Sequence, residues 1–415
     1  MSEDVFAYSN RRGGERALVV FHNKYAQARS WVRMSCAYMD KGAGRLAQQS
    51  VGDALGFSRD GGTFLVCRDA LSGLEYVYRS RTLADDGLRL ELEAYSCRVL
   101  LDWREVVDDG TRPWAVIADQ LAGRGVPSVD EAMLLLVLEP VHAALRALLE
   151  PQLIGSLAAR SRVAAPEPAL SLSDTGDRLR ALLVETRELS KRTPEATAGE
   201  FRSDIDGAAR AFEARLDAAF AVGALEEPFA SPWPRAARML LAADGTGTLG
   251  PIVAWAALEA LGRAADPAHP EEAASRMFDS LRLRSVVAEA LGPLGVEGED
   301  RWRAAARVRL AFVHAPSAPT IIAPKTATSA ATTTRPAALD MLTDPDAAWL
   351  AGVNEYDGVR YFVKEPFESL VWWMALPALL TLGAEKSAAP DAIRRLERDI
   401  DTRLRAADAA GYRMP

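Results

Sequence analysis

The sequence predicts an α+β, multi-domain protein in which an N-terminal antiparallel β-sandwich is followed by an all-α helical region. Three observations predict it. Up to about residue 105, apolar and polar residues alternate in short runs, the period of a half-buried strand. Gly, Asp and Ser turns separate those runs, as in antiparallel sandwiches. Beyond Trp114 the apolar spacing lengthens to three or four residues, the period of an amphipathic helix. The 415 residues suffice for two to four domains, and a chain 49% hydrophobic and 26% charged can bury a sizeable core.

The strand region, residues 1–110, opens on Val5-Phe6-Ala7-Tyr8-Ser9. A turn at Asn10-Arg11-Arg12-Gly13-Gly14 leads into Ala17-Leu18-Val19-Val20-Phe21, so the pair predicts a hairpin. From Trp31 to Tyr38, strict alternation puts Val32, Met34, Cys36 and Tyr38 on one face. Phe64-Leu65-Val66-Cys67 and Leu74 to Tyr78 flank the Asp69–Gly73 turn as a second hairpin. Leu88, Leu90 and Leu92 alternate with Arg89 and Glu91; Tyr95, Cys97, Val99, Leu101 and Trp103 form the last alternating run. The pattern starts almost at Met1, which carries the expectation that something preceded it in the gene or in evolution.

Residues 111–160 are expected to form a helical connection. Ser128-Val129-Asp130-Glu131 is a capping box opening an apolar helix, which Pro140 is expected to kink or split. A Pro-containing linker covers 161–173. A helical domain spans 174–314, with segments around Leu179–Leu189, Phe201–Phe220, Ile252–Ala264, Glu271–Leu291 and Arg301–Phe312. Residues 315–338, rich in Ala, Thr and Pro, are expected to be a flexible loop. Residues 339–415 supply the C-terminal helices, about 366–382 and 390–409.

Charge and composition exclude several classes. Against 49 Lys and Arg stand 57 Asp and Glu, a net charge of -8. Sequence-independent nucleic-acid binding needs a basic footprint, so none is expected. The first ten residues contain no apolar run of the signal-peptide kind, and no stretch of 18 consecutive apolar residues occurs; the most apolar candidate is Leu370–Leu382. No membrane partner is therefore expected. Cys36, Cys67 and Cys97 form no CxxC and read as small core residues, which fits a reducing, cytoplasmic location. The four histidines, His22, His142, His269 and His314, sit at no metal-ligand spacing, so neither a metal nor a cofactor is expected.

Catalytic signatures are also missing. The Gly-rich run 243–250 ends in Gly250-Pro251-Ile252, without the Lys and Ser/Thr of a phosphate loop. No Gly-x-Ser-x-Gly elbow occurs. The adjacent carboxylates Asp85/Asp86, Asp108/Asp109 and Glu226/Glu227 do not face one another across a cleft. Aromatics are more informative. Trp31, Tyr38, Tyr76, Tyr78, Tyr95 and Trp103 either fill the sandwich core or, as Trp31 and Tyr78 do best, offer faces on which sugar rings stack. Near the C-terminus Asn354, Glu355, Lys364 and Glu365 interrupt an apolar stretch. They form either a small polar site or a buried turn with its polar groups paired.

Taken together, Asp4-Val5-Phe6-Ala7-Tyr8-Ser9-Asn10-Arg11 and Ala17-Leu18-Val19-Val20-Phe21-His22-Asn23-Lys24-Tyr25 resemble the segment that follows the catalytic barrel in large bacterial α-amylase-family proteins, glycoside hydrolase family thirteen. Residues 68–76 and 92–102 are similar to later strands of that all-β domain, and 353–365 to part of the helical tail. The resemblance touches about 1–150 and 345–380, and its motifs are structural. It implies a β-domain that packs on a barrel, with helices extending the platform. The family's Asp nucleophile, Glu acid/base and supporting Asp lie on a (β/α)₈ barrel of roughly 250 residues, which this sequence lacks. The resemblance thus implies a non-catalytic accessory region of α-glucan metabolism, truncated relative to those proteins. Its partners would be a barrel-containing glycoside hydrolase chain and an α-glucan. The alternative is a stand-alone carbohydrate-binding module using Trp31 and Tyr78. A third possibility is an activity in the helical region around Asn354, Glu355, Lys364 and Glu365.

Overall fold

A computed structural model describes residues 4–42, 44–160, 172–197, 201, 204–223, 246–314, 337–384 and 390–414. They form two compact units, Met1–Glu139 and Pro140–Pro415.

The first unit is built on a five-stranded antiparallel sheet of order β1-β2-β9-β6-β7, comprising β1 (Val5–Arg12), β2 (Glu15–His22), β9 (Cys97–Val107), β6 (Thr63–Asp69) and β7 (Glu75–Arg79). Both expected hairpins are present, with Phe6 opposite Phe21 and Val66 opposite Val77. One sheet face carries Leu18, Val20, Leu65, Cys67 and Leu100. A second layer covers it: the ribbon of β3 (Ala28–Val32) and β8 (Leu88–Leu92), with α1 (Val51–Leu55) and α2 (Ser80–Asp86). Helix α3 (Trp114–Leu121) and the first turns of α4 (Val129–Leu148) cover part of the other face, through Trp114, Ile117, Leu121, Val129 and Met133 on Phe64, Val66 and Val77. Strand β6 is thus buried on both sides, which explains its unbroken apolar run. Each large apolar side chain fully buried there contributes about 1.5–3 kcal/mol. The ribbon meets α2 at Gly87, whose φ of +87° and 2.5 Å clearance to Val32 O at the Cβ position leave no room for a side chain.

Several expectations need correction. Residues 111–160 are largely helical as expected, but 111–139 fall in the first unit, where their apolar stripe packs on the sheet's second face. Pro140 does not end α4, which runs through it to Leu148. Strand β3 stops at Val32; Met34 and Tyr38 are exposed, and so is Cys36, while Cys67 is buried and Cys97 half-buried. Trp103 does not share a face with Leu101. A bulge at Asp102, with φ +54°, turns it onto the Leu100 side. His22 is buried, with Nδ1 3.0 Å from Glu93 O.

The second unit is helical. Its helices are α5 (Pro151–Arg160), α6 (Leu172–Arg192), α7 (Ile205–Gly223), α8 (Thr246–Ala265), α9 (Pro270–Ser280), α10 (Leu283–Leu291), α11 (Gly298–Val313), α12 (Pro345–Leu350), α13 (Lys364–Ala384) and α14 (Pro390–Ala409). Apart from Glu259, helix α8 is apolar all round from Leu249 to Leu261 and packs against α7, α9 and α11, as a helix without a polar face must. The single segment expected at 271–291 divides at Leu281 and Arg282, where Arg282 has φ +55°. Most of the expected linker and of the Ala/Thr/Pro loop lies outside the described residues, as do positions 243–245 of the Gly-rich run; 246–250 begin α8. Among the described residues, the helical stretch long and apolar enough to cross a membrane is Val129–Ala159, not 370–382. Its Val129 and Met133 lie in the first unit's core.

Candidate functional site

Strand pairing brings distant residues to one cleft of about 640 Å³ in the first unit. Its walls are the β3–β8 ribbon, β7, the Gly87 corner and the C-terminal end of α3. Both expected sugar-facing aromatics line it. Trp31 stands on β3 directly opposite Arg89 on β8, and is 57% exposed. Tyr78 is half-buried. Its ring stacks on Tyr76, 6.2 Å away and 4° from parallel, and on Trp103 at 6.4 Å. Burial pushes the Tyr78 phenol above its ordinary value, so the hydroxyl is neutral at physiological pH. Tyr78 therefore serves chiefly as core and floor, whereas Trp31 presents an open face.

The cleft's charge is one-sided. Arg79, Arg89, Arg98 and Arg124 line it against Glu91 and Asp119. Arg79 makes a two-pronged bond to Asp119 at 2.8 Å. Arg98 donates to Asp69 at 3.1 Å and to the Tyr76 hydroxyl at 2.6 Å. Arg124 caps the last carbonyls of α3 at Gln120 and Leu121. Glu91 pairs with Arg29 across the ribbon. Arg89 makes no ion pair among the described residues. Sequence reasoning missed it, since only the non-local β3–β8 pairing puts it beside Trp31. Among the described residues, no Ser, Cys or His lines the cleft. Among the described residues, no cluster of three His, Cys, Asp or Glu could hold a metal.

A second feature is the β1–β2 end of the sheet face that α3 and α4 cover elsewhere. Phe6 and Tyr8 project there beside Phe21 and Val19 and are 44% and 66% exposed. Tyr25 and Tyr95, whose ring centroids lie 6.3 Å apart, stand exposed at the same strand ends. The alternation of Phe6 and Tyr8 with Val5 and Ala7 was the available signal.

The polar quartet near the C-terminus does not form a buried turn. Asn354 and Glu355 lie on β10 (Asn354–Tyr356), which pairs with β11 (Val359–Tyr361) as a small exposed hairpin; Lys364 and Glu365 open α13, also exposed. Asp357 and Gly358, both at positive φ, make the tight turn that turns the chain outward. Lys364 lies beside the Tyr412 ring and Glu368, which raise its pKa.

No protein-family model, no curated protein and no solved structure matches this chain.

Proposed function

We propose that the chain is a non-catalytic accessory region that docks onto a barrel-bearing chain of the α-amylase type, in α-glucan metabolism and without a cofactor. The observation that carries the reading is the exposed aromatic pair Phe6 and Tyr8, set in an apolar sheet face. Monomeric surfaces seldom leave neighbouring aromatics open, and aromatics dominate interface energetics.

The test is titration of the chain with the α-amylase-type barrel protein encoded in the same genome. Phe6→Asp with Tyr8→Asp should weaken the complex at least thirtyfold, about 2 kcal/mol, since each residue has the character of an interface hot spot. The melting temperature should not fall, because neither side chain is buried. Binding that is absent in the parent chain, or equal in the double variant, rejects the proposal.

A second reading, α-glucan binding at the cleft, is favoured by one observation: Trp31 and Tyr78 line it together. On glycogen-containing native gels the chain should be retarded. Trp31→Ala should lose about tenfold in affinity without losing stability, the loss expected for one stacked aromatic. Parent mobility that is unchanged by glycogen, starch and maltodextrins removes this reading and leaves docking intact.

A further inference from the structure

The second unit contains a pocket that neither reading uses. It measures about 350 Å³ and is lined by Thr248 and Pro251 of α8, Asp300 and Arg307 of α11, and Ser369 and Trp373 of α13. Several guanidiniums drawn into this unit face carboxylates. Arg215 meets Glu259, Arg309 meets Asp344 and Asp346, and Arg284 meets Asp346. Arg307 does not. It is half-buried, yet among the described residues no carboxylate lies within 4 Å of it and its guanidinium makes no hydrogen bond. Its backbone carbonyl is tied to Trp373 Nε1 at 2.8 Å, which anchors the helix at this point. Withdrawal from water lowers the Arg307 pKa, and the more distant Asp300 opposes that only in part. A cation withdrawn from water without a partner is costly, and buried charges are ordinarily paired.

We infer that this pocket binds a small phosphate monoester, with its phosphate on Arg307 and its organic part against Pro251 and Trp373. The guanidinium fork matches phosphate oxygens two at a time. Ser369, which has no hydrogen bond among the described residues, supplies a further donor in the wall. Thr248 of α8 adds a second hydroxyl to the wall. The volume exceeds one phosphate ion, and the apolar walls leave room for an attached group. Asp300, exposed on the rim, is the one opposing charge. The inference is independent of the docking and glucan readings.

The experiment is calorimetric titration of the full chain with glycerol 3-phosphate and inorganic phosphate, with acetate as the carboxylate control. The monoester should bind most tightly. Arg307→Gln should lose at least tenfold in affinity while the ligand-free melting temperature holds or rises. Asp300→Asn should bind several-fold more tightly, and provides the test if Arg307→Gln does not fold. Failure of both phosphate compounds to bind, acetate binding as well as they do, or affinity unmoved by both substitutions would overturn the inference.

Discussion

Asp69→Ala is expected to destabilise the first unit by about 3–5 kcal/mol, the cost of leaving buried partners of a carboxylate unsatisfied. The side chain is 1% exposed. It accepts hydrogen bonds from the backbone N–H groups of Leu71 and Val99, from the Ser72 hydroxyl and from Arg98, between 2.8 and 3.2 Å. One carboxylate thereby shapes the β6–β7 turn and locks it to β9. Without it, the Val99 N–H loses its acceptor and the Arg98 guanidinium keeps the Tyr76 hydroxyl but loses its carboxylate. Burial by itself would raise the Asp69 pKa, but the bonds from Ser72, Val99, Leu71 and Arg98 outweigh it and hold the carboxyl below its ordinary value. A depressed folded-state pKa contributes stability that is fully present above the unfolded value, near 4, and is lost as pH falls through the folded one. The parent should therefore lose more stability than Asp69→Asn as the pH falls below about 4. Urea unfolding with amide exchange at β6 and β9 measures both effects. A penalty under 1 kcal/mol for Asp69→Ala would show that the turn holds without its carboxylate.

How far the fold was legible follows from which contacts are local. The β1–β2 and β6–β7 hairpins were legible because Gly13-Gly14 and Asp69–Gly73 encode their turns in the chain itself. The face of Trp103 was not, since a single positive-φ residue, Asp102, inverts the alternation from that point on. The place of 111–139 was half-legible. Both-sided burial of Phe64 to Cys67 announces a second cover for the sheet, and the Trp114–Leu121 stripe is that cover, but matching the two is a long-range fact. The same holds for the cleft. Trp31 and Tyr78 were identifiable as aromatics on strands, whereas Arg89 gained its meaning only when β3 paired with β8. Of the two alternatives for the quartet at 354–365, the buried turn failed for the opposite reason: its apolar flanks suggested burial, while the hairpin turning at Asp357-Gly358 leaves it exposed.

Glu259→Ala should be the most damaging single change in the helical unit, again by about 3–5 kcal/mol. Glu259 is the one carboxylate in the buried run of α8. Its Oε1 accepts from Arg215 of α7 at 3.0 Å and from Arg263, one turn along α8, at 2.6 Å. Its side chain is 5% exposed and that of Arg215 is 6% exposed. Removing the acid takes the carboxylate from the buried Arg215, where water is scarce, and from the half-exposed Arg263. Removing both members of the buried pair is a different operation. Arg215→Met with Glu259→Leu fills similar volume, removes the buried guanidinium and leaves only Arg263, 39% exposed, without this acid, so the double variant should recover most of the single variant's loss. The resulting coupling energy separates a pair that sets the register of α7 on α8 from one that merely survives there. Thermal and urea unfolding of the four proteins in the cycle give it directly. Should Glu259→Ala unfold within 1 kcal/mol of the parent, the α7–α8 contact owes its stability to Phe212, Leu216 and the alanines of α8 alone.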